Sequence, residues 1–197
     1  MYRKLFVFIF AAMMLVSCNN NKGVKKVKNE NTKPKYTLQE AEKTQLTGDE
    51  VVKITMKKGG EIYFILYPDK APLTCKNFVY LTDRGFYNGL IFHRVVPNFV
   101  VQGGDPTGTG MGGPGYSIKA EFNDLHHLTG TVAMARSQDP NSAGSQFYIC
   151  LSPQPHLDNN YTIFGQVVKG MDVVQNIQQG DTMAKVVIIH DSTFYKK

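Results

Sequence analysis

Apolar and polar side chains alternate along much of this 197-residue chain. Val52, Ile54 and Met56 alternate with Lys53 and Thr55, and Ile62, Phe64 and Leu66 repeat the pattern after Gly59-Gly60. A period of two on both sides of a glycine pair predicts a hairpin of half-buried strands. Pro68 ends it. Ala71-Pro72 opens a helix, since proline suits the first helical turn, with Cys75, Phe78 and Leu81 as its inward stripe and Gly85 as its stop. Val95-Val96 and Phe99-Val100-Val101 are strand formers, broken by Pro97-Asn98 as by a turn between two short strands. Further strands are predicted at Thr131 to Ala135, Gln146 to Leu151, Tyr161 to Val168 and Lys185 to His190, with a second amphipathic helix over Met171 to Gln179. Periodicity alone gives a β-rich domain; many short strands with two helices suggest an antiparallel barrel.

The first residues break this pattern. Arg3 and Lys4 precede an apolar run from Leu5 to Val16, and Ser17-Cys18 follows. That is the order of a secretory signal, and the run is shorter than the roughly 20 residues a membrane-crossing helix needs. Leu15-Val16-Ser17-Cys18 resembles a bacterial lipobox, in which the chain is cut before the cysteine and the cysteine is acylated. An ordinary signal peptide is the alternative. The organisation read here is a signal over 1–17, an Asn/Lys-rich tether over 18–48 and a folded domain over 49–197. Within the tether, Thr37-Leu38-Gln39-Glu40 matches a capping box for a short helix. The expected location is the bacterial cell envelope, lipid-anchored through Cys18 and facing the periplasm.

Charge follows the same division. Residues 1–36 hold eight Lys/Arg and one acid, and the remainder holds fourteen against fifteen, which together make the net +6. The basic balance therefore belongs to the leader and tether and gives no argument for a nucleic-acid surface. Gly103 to Gly115 contains seven glycines and satisfies G-x-G-x-x-G, yet Pro114-Gly115 follows where a dinucleotide site needs a helix. The loop reads instead as backbone packed close to a ligand or to itself.

No nucleophile has a histidine at motif spacing. His126-His127, as neighbours, make a poor metal pair and read as surface residues. Cys75 and Cys150 either pair in an oxidising compartment or pack as small apolar groups. Arg94 and Gln102 stand out, set among apolar strand residues with Val100 and Gln102 on one face. A guanidinium and a carboxamide at the edge of an apolar floor suit a neutral amide, both offering hydrogen bonds to its carbonyl.

Phe92-His93-Arg94-Val95-Val96-Pro97-Asn98-Phe99-Val100-Val101-Gln102-Gly103-Gly104-Asp105 and, some forty residues on, Gly144-Ser145-Gln146-Phe147-Tyr148-Ile149 together resemble the cyclophilin family of peptidyl-prolyl cis-trans isomerases. Met134-Ala135-Arg136, Leu157-Asp158 and Phe164-Gly165 extend the match from about Asp49 to the C-terminus. The resemblance implies a mainly β fold, an eight-stranded antiparallel closed barrel capped by two helices, with the glycine loop beside the substrate groove. It implies Arg94 as donor to the prolyl side of the bond and Gln102 as the residue that positions the preceding carbonyl. It places Phe99, Val100, Tyr148 and Leu157 around the proline, and Ala135, Arg136 and Gln146 along the peptide backbone. His93 is not expected to act chemically. The implied activity is rotation about X-Pro bonds of unfolded or flexible polypeptides, assisting the folding of exported proteins, with no cofactor and no metal. Four positions depart from the familiar members: His156 for a tryptophan, Tyr161 for a pocket histidine, Val100 for a methionine and Arg136 for an asparagine. The missing tryptophan implies weak cyclosporin binding.

Overall fold

Strand β1 (Glu50–Met56) pairs antiparallel with β2 (Glu61–Leu66), in the register Val52 opposite Phe64 and Ile54 opposite Ile62. The alternating residues that predict this hairpin, Val52, Ile54, Met56, Ile62, Phe64 and Leu66, all lie in the main core, while Val51 and Tyr63 on the opposite face are buried too. The computed structural model describes residues 35–196. The apolar leader, Cys18 and most of the tether lie outside the described residues.

Beyond the hairpin come helix α2 (Pro72–Asp83) and the short strands β3 (Arg94–Val96), β4 (Val100–Gly103), β5 (Thr131–Met134) and β6 (Phe147–Cys150). Then follow β7 (Ile163–Lys169), helix α3 (Met171–Gln175) and β8 (Met183–His190). The eight strands form one sheet, ordered β3-β4-β6-β5-β7-β2-β1-β8, with every pairing antiparallel. The sheet curls into a barrel. Its edge strands β3 and β8 do not pair with each other; the seam is held by the residues ahead of each, through the Ile91–Thr182 bridge and bonds such as Phe92 N–H to Asp181 O at 2.9 Å.

Phe78 on α2 packs among Phe64, Tyr87, Phe147 and Phe164, with ring centroids 4.6–5.6 Å apart. Alternation along β4 and β6 sends Val101, Phe147 and Ile149 into this core and turns Val100, Tyr148 and Cys150 to the opposite face. Cys75 and Cys150 therefore belong to separate clusters, and both are free, buried thiols. This decides between the two readings of the pair in favour of small apolar groups.

Two boundaries differ from expectation. The domain begins before Asp49: helix α1 (Leu38–Glu42) carries a fully buried Ala41, and Tyr36, Leu38 and Leu46 pack on the main core. Thr37 caps α1 by accepting from Glu40 N–H at 3.3 Å, but Glu40 does not complete the capping box. The Tyr80 hydroxyl does so instead, accepting from Thr37 N–H at 3.2 Å and donating to the Glu40 carboxylate at 2.6 Å, which ties α1 to α2. The second amphipathic helix stops at Gln175 rather than Gln179. Lys58 Nζ donates to the Asn176 carbonyl at 2.6 Å, and Asp181 accepts from Gln178 N–H at 2.6 Å, so polar partners outside the helix replace its last turn. Ile177 stays buried all the same. Gly170 starts α3 with φ 87°, and a Cβ there would meet Glu61 O at 2.1 Å, so only glycine fits this corner.

Candidate active site

Pairing within β3–β4 builds the centre of the site. Arg94 lies directly opposite Gln102 and Val96 opposite Val100, and cross-strand partners project from the same face. The connecting turn has Pro97 followed by Asn98 at φ 58°, a combination that a type II turn favours. Phe99 N–H closes the turn on Val96 O at 3.1 Å. The Asn98 carbonyl is then held by Ser152 Oγ at 2.6 Å and Gln154 Nε2 at 2.9 Å, which fastens Phe99 over the pocket rim.

Arg94 Nη1 donates to Gln102 Oε1 at 3.3 Å, and its guanidinium carbon lies 5.6 Å from the Phe99 ring centroid. Gln102 Nε2 donates to Gln146 Oε1 at 3.0 Å. Gln146 Nε2 in turn donates to the carbonyls of Gly110 and Gly112, each at 2.9 Å. A continuous polar line thus runs from the guanidinium through two carboxamides to the glycine loop, and it sets the orientation of both amides. Asp105 organises that loop from within. Its buried carboxylate accepts from Thr107 N–H at 2.7 Å, the Thr107 hydroxyl at 2.8 Å and Gly110 N–H at 2.5 Å. Burial pushes this carboxyl up, but the hydrogen bonds outweigh it and bring the group to about 2. A Cβ on Gly112 would come within 2.0 Å of Asp105 Oδ1, so the loop folds this way only with glycine there.

Nine of the residues singled out from the sequence line one cavity of about 260 Å³: Arg94, Phe99, Val100, Gln102, Ala135, Arg136, Tyr148, Leu157 and Tyr161. Its floor is apolar, with Ala133, Cys150 and Ile163 packed behind Val100, Tyr148 and Leu157. Gln146 lies one step away, lining an adjoining cavity of about 540 Å³. His156 does not line either; it is exposed and stacks on Phe99, centroid to centroid 5.8 Å. His93 points under the loop with both ring nitrogens buried and unbonded among the described residues, and burial lowers its pKa.

The family model described as cyclophilin type peptidyl-prolyl cis-trans isomerase/CLD matches residues 51–193. This chain belongs to that family. Relatives similar to it include a peptidyl-prolyl cis-trans isomerase of Synechococcus elongatus, 49% identical over 135 residues, covering 68% of this chain and 92% of the relative. Peptidyl-prolyl cis-trans isomerase B of Bacillus subtilis is 48% identical over 133 residues, with 66% and 92% covered. Among solved structures, a cyclophilin type isomerase of Cryptosporidium parvum, crystallised in the presence of the dipeptide Ala-Pro, superposes with a TM-score of 0.66. It is 34% identical and covers 72% of this chain and 99% of its own. The chain is thus a cyclophilin-type peptidyl-prolyl cis-trans isomerase, and its eight antiparallel strands follow the cyclophilin fold.

One part of this cyclophilin site differs from what the sequence suggests. His127 is not a surface residue; it is 1% exposed, while His126 beside it is open to solvent. His127 Nδ1 faces Asp158 Oδ1 at 2.8 Å, and Nε2 faces the Tyr148 hydroxyl at 2.9 Å. With Asp158 ionised, the proton belongs on Nδ1, so Nε2 accepts from the Tyr148 O–H. Burial drives the imidazole pKa down, more than Asp158 raises it. Asp158 is itself held at about 2, because bonds from His127 N–H, His126 and the His127 ring outweigh the desolvation that raises it. The available signal was Tyr148 itself, since a buried tyrosine needs a partner for its hydroxyl.

Proposed function

We propose that the 260 Å³ cavity is where this isomerase takes the proline of a protein segment, with Arg94 as the catalytic donor. An X-Pro bond resists rotation by about 18–20 kcal/mol because amide resonance keeps it planar. Twisting pulls the nitrogen lone pair out of conjugation, and an N–H aimed at that nitrogen then stabilises the twisted form and hardly touches the planar one. Such differential binding lowers the barrier with no nucleophile. Phe99, Val100, Tyr148, Leu157 and Tyr161 form the apolar clamp on the ring, while Gln102 holds the carbonyl of the preceding residue and Ala135, Arg136 and Gln146 support the peptide. The main support is the placement of Arg94: its guanidinium lies directly across the strand pair from Gln102 and beside Phe99, at the edge of the pocket's apolar floor. The related Cryptosporidium structure determined with Ala-Pro supports a proline-containing ligand.

In this reading the enzyme serves exported proteins. The apolar leader ending at Cys18 makes it a lipoprotein of the bacterial envelope, facing the periplasm, with residues from Cys18 on as a spacer. Cyclosporin binds weakly, because exposed His156 stands at the position of the expected tryptophan.

The test is refolding of a protein whose slow phase is limited by prolyl isomerisation. Wild type accelerates that phase and Arg94→Ala does not; equal acceleration by both would refute the assignment. Radiolabelled palmitate incorporated by the wild type in cells, and lost in Cys18→Ser, supports the anchor; labelling that persists in the variant contradicts it.

A further inference from the structure

The cavity of about 540 Å³ adjoins the proposed proline pocket and shares Gln102, Ala135 and Arg136 with it. Among the described residues, Arg136 is the one charged side chain lining the larger cavity, and no Asp or Glu lines either. Its guanidinium is held in place before any ligand arrives. The Tyr161 ring lies 4.7 Å from its central carbon and Phe122 lies at 5.8 Å. Nε donates to Asn160 O at 3.0 Å, and Nη1 donates to Ser137 O at 2.9 Å and Gln138 O at 3.3 Å. Nη2 carries no hydrogen bond to a described residue. A cation fixed by stacking and backbone carbonyls, with donors left over, loses little side-chain freedom when it takes a carboxylate.

The position of that carboxylate follows from chain geometry, given the proposed site. Gln102 borders both cavities, so a peptide whose preceding carbonyl meets Gln102 runs its upstream part toward the larger one. In an extended segment, residues i and i−2 point the same way and lie about 6.6 Å apart. The side chain two residues before the proline therefore enters the larger cavity. We infer that Arg136 makes this enzyme select an acidic residue two positions before the isomerised proline.

This inference rests on the isomerase reading above, and the test separates the two. Three peptides, Ala-Glu-Ala-Pro-Phe, Ala-Gln-Ala-Pro-Phe and Ala-Lys-Ala-Pro-Phe, are compared by NMR exchange at low salt. Wild type is expected to favour Glu over Lys by roughly three- to fivefold in kcat/KM, as a partly exposed ion pair allows. The ratio shrinks as salt is raised. Arg136→Gln brings it close to one, and Arg136→Lys, which keeps the charge without the planar fork, restores part of it. Equal rates for the three peptides, or a ratio unchanged in Arg136→Gln, would overturn the charge selection while leaving the isomerase standing. Acceleration of none of them would overturn the isomerase reading and this inference with it.

Discussion

Tyr148 carries two duties on one side chain: its ring walls the proline pocket, and its hydroxyl is tied to His127 behind it. Tyr148→Phe keeps the wall and leaves His127 Nε2 without its partner in a buried site. The expected cost is about 1–2 kcal/mol, read as a fall in Tm of a few degrees with isomerase activity largely kept. The imidazole also sets a pH response. The folded state depresses the His127 pKa below its ordinary 6.5, so below pH 6.5 the unfolded chain binds a proton that the folded chain refuses. Stability is then full above 6.5 and falls as the pH drops through the interval beneath it. Asp158 adds a second loss in the same direction between 3.8 and about 2. Urea titrations at pH 7 and pH 5 check this: wild type loses stability between them, and His127→Gln loses less. At this scale, Arg94, Phe99, Val100, Gln102 and Tyr148 were legible because they crowd into two short motifs, while Ala135, Arg136, Leu157 and Tyr161 rest on the shorter matches around them. His127 was not, because its partners Tyr148 and Asp158 stand 21 and 31 residues away.

Among the elements, the glycine loop contributes through its backbone. Gly110 and Gly112 offer their carbonyls to Gln146, and Asp105 holds the loop in the shape that presents them. Gly112→Ala pushes a methyl into Asp105 and breaks that shape. We expect activity to drop about tenfold with a small change in Tm, since the loop lies outside the main core; a variant with wild-type kinetics would contradict the link from loop to Gln146 and Gln102. Strands read well from the sequence for two reasons: β1 and β2 keep an alternating apolar face, and β5 and β6, buried at every position, are short runs of strand formers. The helices read less well. Helix α3 loses its last turn to Lys58 and Asp181, contacts from 118 residues upstream and from the following loop. Helix α1 takes half its cap from Tyr80, which no local motif announces.

For the molecule as a whole, closure decides what is stable. The last described turn, Ser192–Tyr195, returns to the first hairpin. Tyr195 O–H donates to Glu50 O at 2.6 Å and accepts from Leu66 N–H at 3.1 Å, and Phe194 stacks on Tyr63 at 5.7 Å. Tyr195→Phe strips a partner from both strands, and we expect a loss of about 1–3 kcal/mol in chemical denaturation; an unchanged midpoint would show the contact to be dispensable. The β-rich class was legible from alternation, while the order of the strands and the seam before β3 and β8 depend on long-range pairing that period two does not encode. Whether the Arg94 guanidinium lowers the barrier to X-Pro rotation is read from NMR exchange between the cis and trans forms of a proline peptide with the wild type and Arg94→Ala. Fast exchange is expected with the wild type, and in the variant a loss of roughly 10²–10³-fold in rate, as for removal of a single transition-state donor, with the peptide still bound. Exchange equally fast in Arg94→Ala would contradict this role.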